Sequence, residues 1–132
     1  MTYLLDSHTF IWSVIDPVKL PTNVSDILED PHQSIFISSI SFWEIALKYA
    51  LGKLQLNGVE PIEFPSLAKE VGFDILPLDS AEASTYHLLQ ADWHRDPFDR
   101  MLIWQAIQQK MVFISADKNV AKYQSVGLTV LW

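Results

Sequence analysis

The stretch Tyr3-Leu4-Leu5-Asp6-Ser7-His8-Thr9-Phe10-Ile11-Trp12-Ser13-Val14-Ile15 reads as a short apolar strand, an acid and then a helix. Tyr3 to Leu5 is the strand and Asp6 ends it. His8 to Ile15 follows with Phe10, Ile11 and Val14 on helical spacing. The order then repeats. Pro17 closes the first unit, and Pro21-Thr22 opens a second helix (Val24, Ile27, Leu28) that ends before Pro31. Ser34 to Ser38 is the second strand. Ser39 to Leu51 carries Ile40, Trp43, Leu47, Ala50 and Leu51 at intervals of three and four, with Gly52 where a C-cap glycine belongs.

Residues 53 to 65 hold Gly58, Pro61 and Pro65 and read as a surface excursion around a short strand or turn, the segment freest to move. Leu67 to Val71 follows as a short helix and Phe73 to Leu76 as a strand. Ser80 to Ala91 reads as a helix capped by Asp79 or Ser80. Asp96-Pro97 has the form of an N-cap with proline at the first helical position, and that helix runs to about residue 110. Met111 to Ser115 is the most strand-like run, Lys118 to Tyr123 is briefly helical, and Thr129 to Trp132 is a last strand. Such alternation implies an α/β fold: a three-layer α/β/α sandwich with a central, mainly parallel sheet, formed as one domain over residues 1–132.

Composition narrows the chemistry. The chain has 132 residues, no cysteine, a net charge of −7 and 49% hydrophobic residues. Without cysteine there is no disulfide, thiolate nucleophile or thiolate metal site. No apolar run approaches the roughly 20 residues that span a bilayer, and no basic region precedes the Tyr3-Leu4-Leu5 run. These features lead us to expect a soluble, unprocessed, cytoplasmic protein. The negative charge argues against a broad basic surface gripping phosphates, though not against local cations around a bound ion. Five tryptophans suggest more apolar surface than one small core covers, with a partner interface or the core itself as the outlet.

In a parallel sheet the carboxyl ends of the strands share one edge, and ligands bind there. Asp6 follows the first strand, Asp117 follows the 111–115 strand, and Glu44 enters from the helix after the second strand. Asp96 and Asp99 open the helix leading into the 111–115 strand. Each acid has an ordinary explanation by itself. Asp6 and Asp117 fit turns or caps, and Asp96 and Asp99 suit a helix N-terminus. Glu44 fits a capping box or an ion pair with Lys48. Together they are harder to dismiss, because two carboxylates ~4 Å apart repel by about 4 kcal/mol at an effective dielectric of ~20. Such a cluster calls for a cation or shared protons. An all-oxygen site with no histidine pair at ligand spacing suits Mg²⁺ or Mn²⁺ rather than zinc. Ions of that kind support hydrolysis of phosphate esters.

Several linked motifs carry a resemblance: Tyr-Leu-Leu-Asp6-Ser-His-Thr, Ser38-Ser-Ile-Ser-Phe-Trp-Glu44-Ile-Ala-Leu-Lys48, Leu51-Gly-Lys-Leu, His94-Arg-Asp-Pro-Phe-Asp99-Arg, Ser115-Ala-Asp117 and the closing Val-Leu-Trp. Over its whole length the chain resembles PIN-domain ribonucleases, most closely the VapC-like toxins of bacterial toxin–antitoxin pairs. The resemblance implies a PIN-type sandwich, a metal-dependent endoribonuclease acting on RNA, a homodimer and a cognate antitoxin. It maps Asp6, Glu44, Asp99 and Asp117 onto the family's acidic quartet for Mg²⁺ or Mn²⁺, with Asp96 an extra acid, a cap and a possible metal contact. Trp104 and Ser7-His8 depart from the commonest pattern without removing a carboxylate. Arg95, Arg100, Lys48 and Lys53 are the cations expected to meet phosphates, unless they are ordinary surface charges.

Three other readings compete with this one. An aspartyl-nucleophile phosphatase usually has a second Asp two residues after the first, where His8 stands, and a phospho-receiver would want an acidic pair at Asp6. A non-catalytic interaction module would bind divalent ions weakly and hydrolyse nothing.

Overall fold

Alternation along the strands sorts the core into two layers. Tyr3 and Leu5 join one buried cluster with Ile35, Ile37, Val112 and Ile114, whereas Leu4 and Phe113 join the other. The computed structural model describes residues 1–132. Its strands are β1 (Thr2–Leu5), β2 (Ser34–Ser38), β3 (Asp74–Leu76), β4 (Val112–Ile114) and β5 (Thr129–Leu131). They form one sheet in the order β3-β2-β1-β4-β5, and every neighbouring pair is parallel. The sheet is thus wholly parallel rather than mainly so. Leu4 stands opposite Phe36 on one side and Phe113 on the other, which fixes the central register.

The helices are α1 (Ser7–Ile15), α2 (Thr22–Glu29), α3 (Ser39–Ala50), α4 (Phe64–Glu70), α5 (Ser80–Thr85), α6 (Pro97–Gln109) and α7 (Lys118–Ala121). Phe10, Val24, Phe64 and Ala68 of α1, α2 and α4 close one core layer. Leu102, Ile103 and Ala106 of α6 close the other with Val120 of α7. From β1 the chain first builds outward through β2 and β3, then crosses back to β4 and β5. That switch opens a crevice at the carboxyl ends of β1 and β4.

Three local expectations need correction. The apolar stripe of α3 reaches the core only at its start: Ile40 is buried, but Trp43 is 60%, Leu47 39% and the following Leu51 59% exposed, while Ser41, Glu44 and Ile45 are buried. This helix turns polar side chains inward because they have partners there, and it gives Ile45 to one core layer and Ile40 to the other. The 53–65 excursion is not all surface, since Leu56 and Phe64 are buried in the core with Leu54 and Val59 packed against it. Helix α4 consequently begins at Phe64, ahead of the expected Leu67. Finally, the helix expected over 80–91 stops at Thr85 and passes into a 3-10 turn over Tyr86–Leu88. The guanidinium of Arg100 takes the carbonyls of Leu89 and Ala91, so those groups leave the helical pattern. The expected C-cap glycine is present, with Gly52 at φ 72° after α3.

Candidate metal centre

Each acid arrives at the crevice on the end of an element. Asp6 caps α1, accepting the Thr9 N–H at 2.8 Å, while its own N–H donates to the Ile114 carbonyl of β4 at 3.1 Å. It is 6% exposed. Burial raises its carboxyl pKa, and hydrogen bonds from Ser115 and Thr9 oppose that rise. Asp117 caps α7, accepting the Asn119 N–H at 2.8 Å, and donates its own N–H to Ser115 Oγ at 3.2 Å. Asp96 caps α6, accepting the Phe98 and Asp99 N–H groups at 2.8 and 3.4 Å. Asp99 therefore stands in the first turn of α6 beside the crevice.

The cluster divides into two halves. In the first, the Ser7 hydroxyl donates to Glu44 Oε1 at 2.6 Å, and the Lys48 ammonium donates to Glu44 Oε2 and to Asp96 Oδ2, the latter at 3.3 Å. Burial opposes the charge on Lys48, but bonding to Glu44 and the charges of Glu44 and Asp96 outweigh it and raise its pKa. Burial likewise opposes the Asp96 carboxylate, yet the Phe98 N–H and the Lys48 charge hold its pKa low. In the second half, Asp6, Asp99 and Asp117 line a cleft of about 300 Å³ with His8, Trp12 and Ala116. Neither Lys nor Arg pairs with these three acids. Burial, then the charges of Glu44 and Asp96, push the Asp99 pKa up to about 7, with His94 opposing and Asp6 adding to the rise.

His94 belongs to this second half and had no signal in the sequence beyond its place before the Asp96 cap. Its Nε2 lies 2.8 Å from Asp117 Oδ2 and 3.3 Å from Asp99 Oδ2. Its Nδ1 accepts the Asp96 N–H at 3.1 Å. An amide can only donate, so Nδ1 carries the lone pair and Nε2 carries the proton. The ligand atoms of His94, Asp99 and Asp117 lie within 4.8 Å of one another, but a protonated Nε2 is a donor to Asp117 and not a ligand.

The four expected phosphate-facing cations go to different places. Arg95, between His94 and Asp96 in the chain, is exposed and has no carboxylate partner. Lys48 is engaged by Glu44 and Asp96. Lys53 lies past the C-terminal end of α3, whose opposite half carries Glu44. Arg100 is a correction: it points inward, donating to the carbonyls of Leu89, Ala91 and His94 and to the hydroxyls of Tyr86 and Tyr123. Five geometrically fixed donors suit it to tying down the 86–94 segment rather than to meeting solvent phosphates. Asp96, expected as a possible metal contact, caps α6 and pairs with Lys48 and does not line the cleft.

Three uncompensated carboxylates around an open cleft form an oxygen donor set that fits a hard dication. Compared with known protein families, residues 3–125 match the PIN domain. The chain belongs to that family. Among curated relatives, this PIN domain is 24% identical over 131 residues to Ribonuclease VapC22 of Mycobacterium tuberculosis, covering 99% of this chain and 98% of the relative. Among solved structures it is similar to VapBC-1 of nontypeable Haemophilus influenzae (TM-score 0.69, 16% identity, 99% and 97% of the two chains covered). It is also similar to DNA-bound VapBC of Salmonella typhimurium (0.66, 18%, 99% and 97%) and to FitAcB of Neisseria gonorrhoeae (0.62, 22%, 98% and 96%). At such identities these neighbours establish the fold of this PIN domain. No helix is long and apolar enough to cross a membrane.

Proposed function

We propose that this PIN domain is a metal-dependent endoribonuclease that hydrolyses RNA phosphodiester bonds and acts as the toxin of a VapBC-type toxin–antitoxin pair. The observation that carries the reading is the convergence of Asp6, Asp99 and Asp117 on one cleft with no Lys or Arg to balance them. The curated ribonuclease relative and the VapBC neighbours support the substrate class and the antitoxin partner. As further parts of the proposal, the chain is one domain that works in the cytoplasm as a homodimer. The exposed α3 stripe of Trp43, Leu47 and Leu51 supports a protein partner.

Asp6, Asp99 and Asp117 would hold Mg²⁺ or Mn²⁺, and Glu44 serves the same centre from behind, oriented by Ser7 and Lys48. Such an ion supplies an activated water and offsets charge on the phosphodiester. Asp99, whose pKa is raised without an ion, would hold the ion as the ionised carboxylate. His94 keeps Asp117 turned toward the cleft through its Nε2–H. Arg95, exposed and without a carboxylate partner, is a cation available to a phosphate at the rim.

The test is cleavage of a mixed RNA pool by purified protein with Mg²⁺, with Mn²⁺ and with excess chelator, beside Asp6→Asn. Cutting that needs the metal and disappears in the variant is the expected result. A folded protein that cuts no RNA with either metal would overturn the reading in favour of a non-catalytic module.

A further inference from the structure

An RNA enzyme with a net charge of −7 has an affinity problem. Phosphate contacts usually dominate binding, yet near this cleft Lys48 and Arg100 are engaged inside the protein, which leaves few cations for a phosphate, Arg95 and Lys118 among them. Positive charge is scarce in an acidic domain, and the cleft offers a second source of affinity. Besides the acids, its lining includes His8 and the half-buried Trp12. The His8 and Trp12 rings are 6.0 Å apart between centroids and tilted by 52°, and Trp132, 40% exposed, continues the row 5.9 Å beyond Trp12 at 55°. A third strand-end element thereby meets the first: Trp132 follows β5, while His8 and Trp12 lie on α1.

Resting on the nuclease reading above, we infer that His8, Trp12 and Trp132 form an aromatic shelf that takes an unpaired RNA base next to the phosphate held at the carboxylates. Ring faces stack on any base and need no positive charge, which suits an acidic domain. The base must be unpaired, because one inside a duplex is already stacked on its neighbours. The Lys19 ammonium lies 5.7 Å from the Trp12 centroid, and its one carboxylate partner, Asp16, is 3.8 Å away on an exposed surface. Both are exposed surface contacts, which a phosphate on the far side of that base can replace. The shelf ties substrate choice to single strands and loops, whereas the carboxylates see only the phosphodiester.

The experiment is steady-state cleavage of short single-stranded oligoribonucleotides with Mn²⁺ by the parent, Trp12→Ala, Trp12→Phe and Trp132→Ala, with circular dichroism of each. We expect Trp12→Ala to raise KM about tenfold or more with kcat little changed, Trp132→Ala to do so less, and Trp12→Phe to restore binding. An abasic site flanking the cut should weaken the parent as much as Trp12→Ala does and cause no further loss in that variant. Tryptophan fluorescence of the parent should be quenched by the oligonucleotide, with the quench much reduced in Trp12→Phe. A parent that cleaves RNA beside folded Trp12→Ala and Trp132→Ala proteins of unchanged KM would overturn the shelf alone. A parent that cleaves no RNA would overturn the nuclease reading and the shelf with it.

Discussion

Asp96 and Asp99 stand three residues apart at the start of one helix, and the protein treats them in opposite ways. Asp96 receives two backbone N–H groups and the Lys48 ammonium, and its pKa is held low. Asp99 has only the His94 ring nearby, at 3.3 Å, and its pKa is raised to about 7 by burial and by the charges of Glu44 and Asp96. The same division runs through the whole crevice. Glu44 and Asp96 share a built-in lysine, whereas Asp6, Asp99 and Asp117 share a cleft. A carboxylate that the protein satisfies itself is structural in its first duty. One left uncompensated at the mouth of a cleft is waiting for a charge from outside.

The largest way to break this comparison is to neutralise Asp99. Its folded-state pKa of about 7 lies above the ordinary 3.8, so between those values the folded protein holds more protons than the unfolded chain. Stability of the metal-free protein should therefore fall as pH rises from about 4 to about 7, by at most about 4 kcal/mol from this group. Asp96 has the opposite sign, lending stability above its ordinary pKa and losing it as pH falls through its lowered one. Asp99→Asn should flatten the decline and leave the metal-free protein more stable than the parent at pH 8. Denaturant melts in excess chelator across this pH range measure it, and an unchanged slope in the variant would remove Asp99 as its source.

A smaller effect sharpens the other half. Lys48→Met leaves Glu44 buried beside Asp96 with no cation, and should destabilise the protein by about 2 kcal/mol at pH 7. That is less than the ~3–5 kcal/mol of a fully buried pair, because the Lys48 side chain is 24% exposed. Urea melts would show it, and Lys48→Met with Glu44→Gln should recover most of the loss. A neutral single variant would mean that the pair holds nothing in place.

Much of this was legible along the chain because it depends on near neighbours. Alternating strands and helices, the Asp96-Pro97 cap and the acids at strand ends are all local signals, and the parallel sheet follows from them. What depends on distant contacts was not legible. The outward stripe of α3 looked like a core face because Trp43, Leu47 and Leu51 have the right spacing. Only the presence of Ser7 opposite Glu44 shows why the polar face turns inward. The early end of α5 reflects carbonyls taken by Arg100 from another helix. Arg100 reads as a surface cation until Tyr86 and Tyr123 are seen against it. His94 shows no metal-ligand spacing, and its tautomer follows from an amide two residues on.

Titration calorimetry with Mn²⁺ on the parent, Asp99→Asn and Asp96→Asn most directly tests whether the ion belongs to the uncompensated half. Binding should be lost in Asp99→Asn and kept in Asp96→Asn, with the parent releasing protons near pH 7 as the ion enters. Binding kept in Asp99→Asn and lost in Asp96→Asn would place the ion on the Lys48 side and contradict the account.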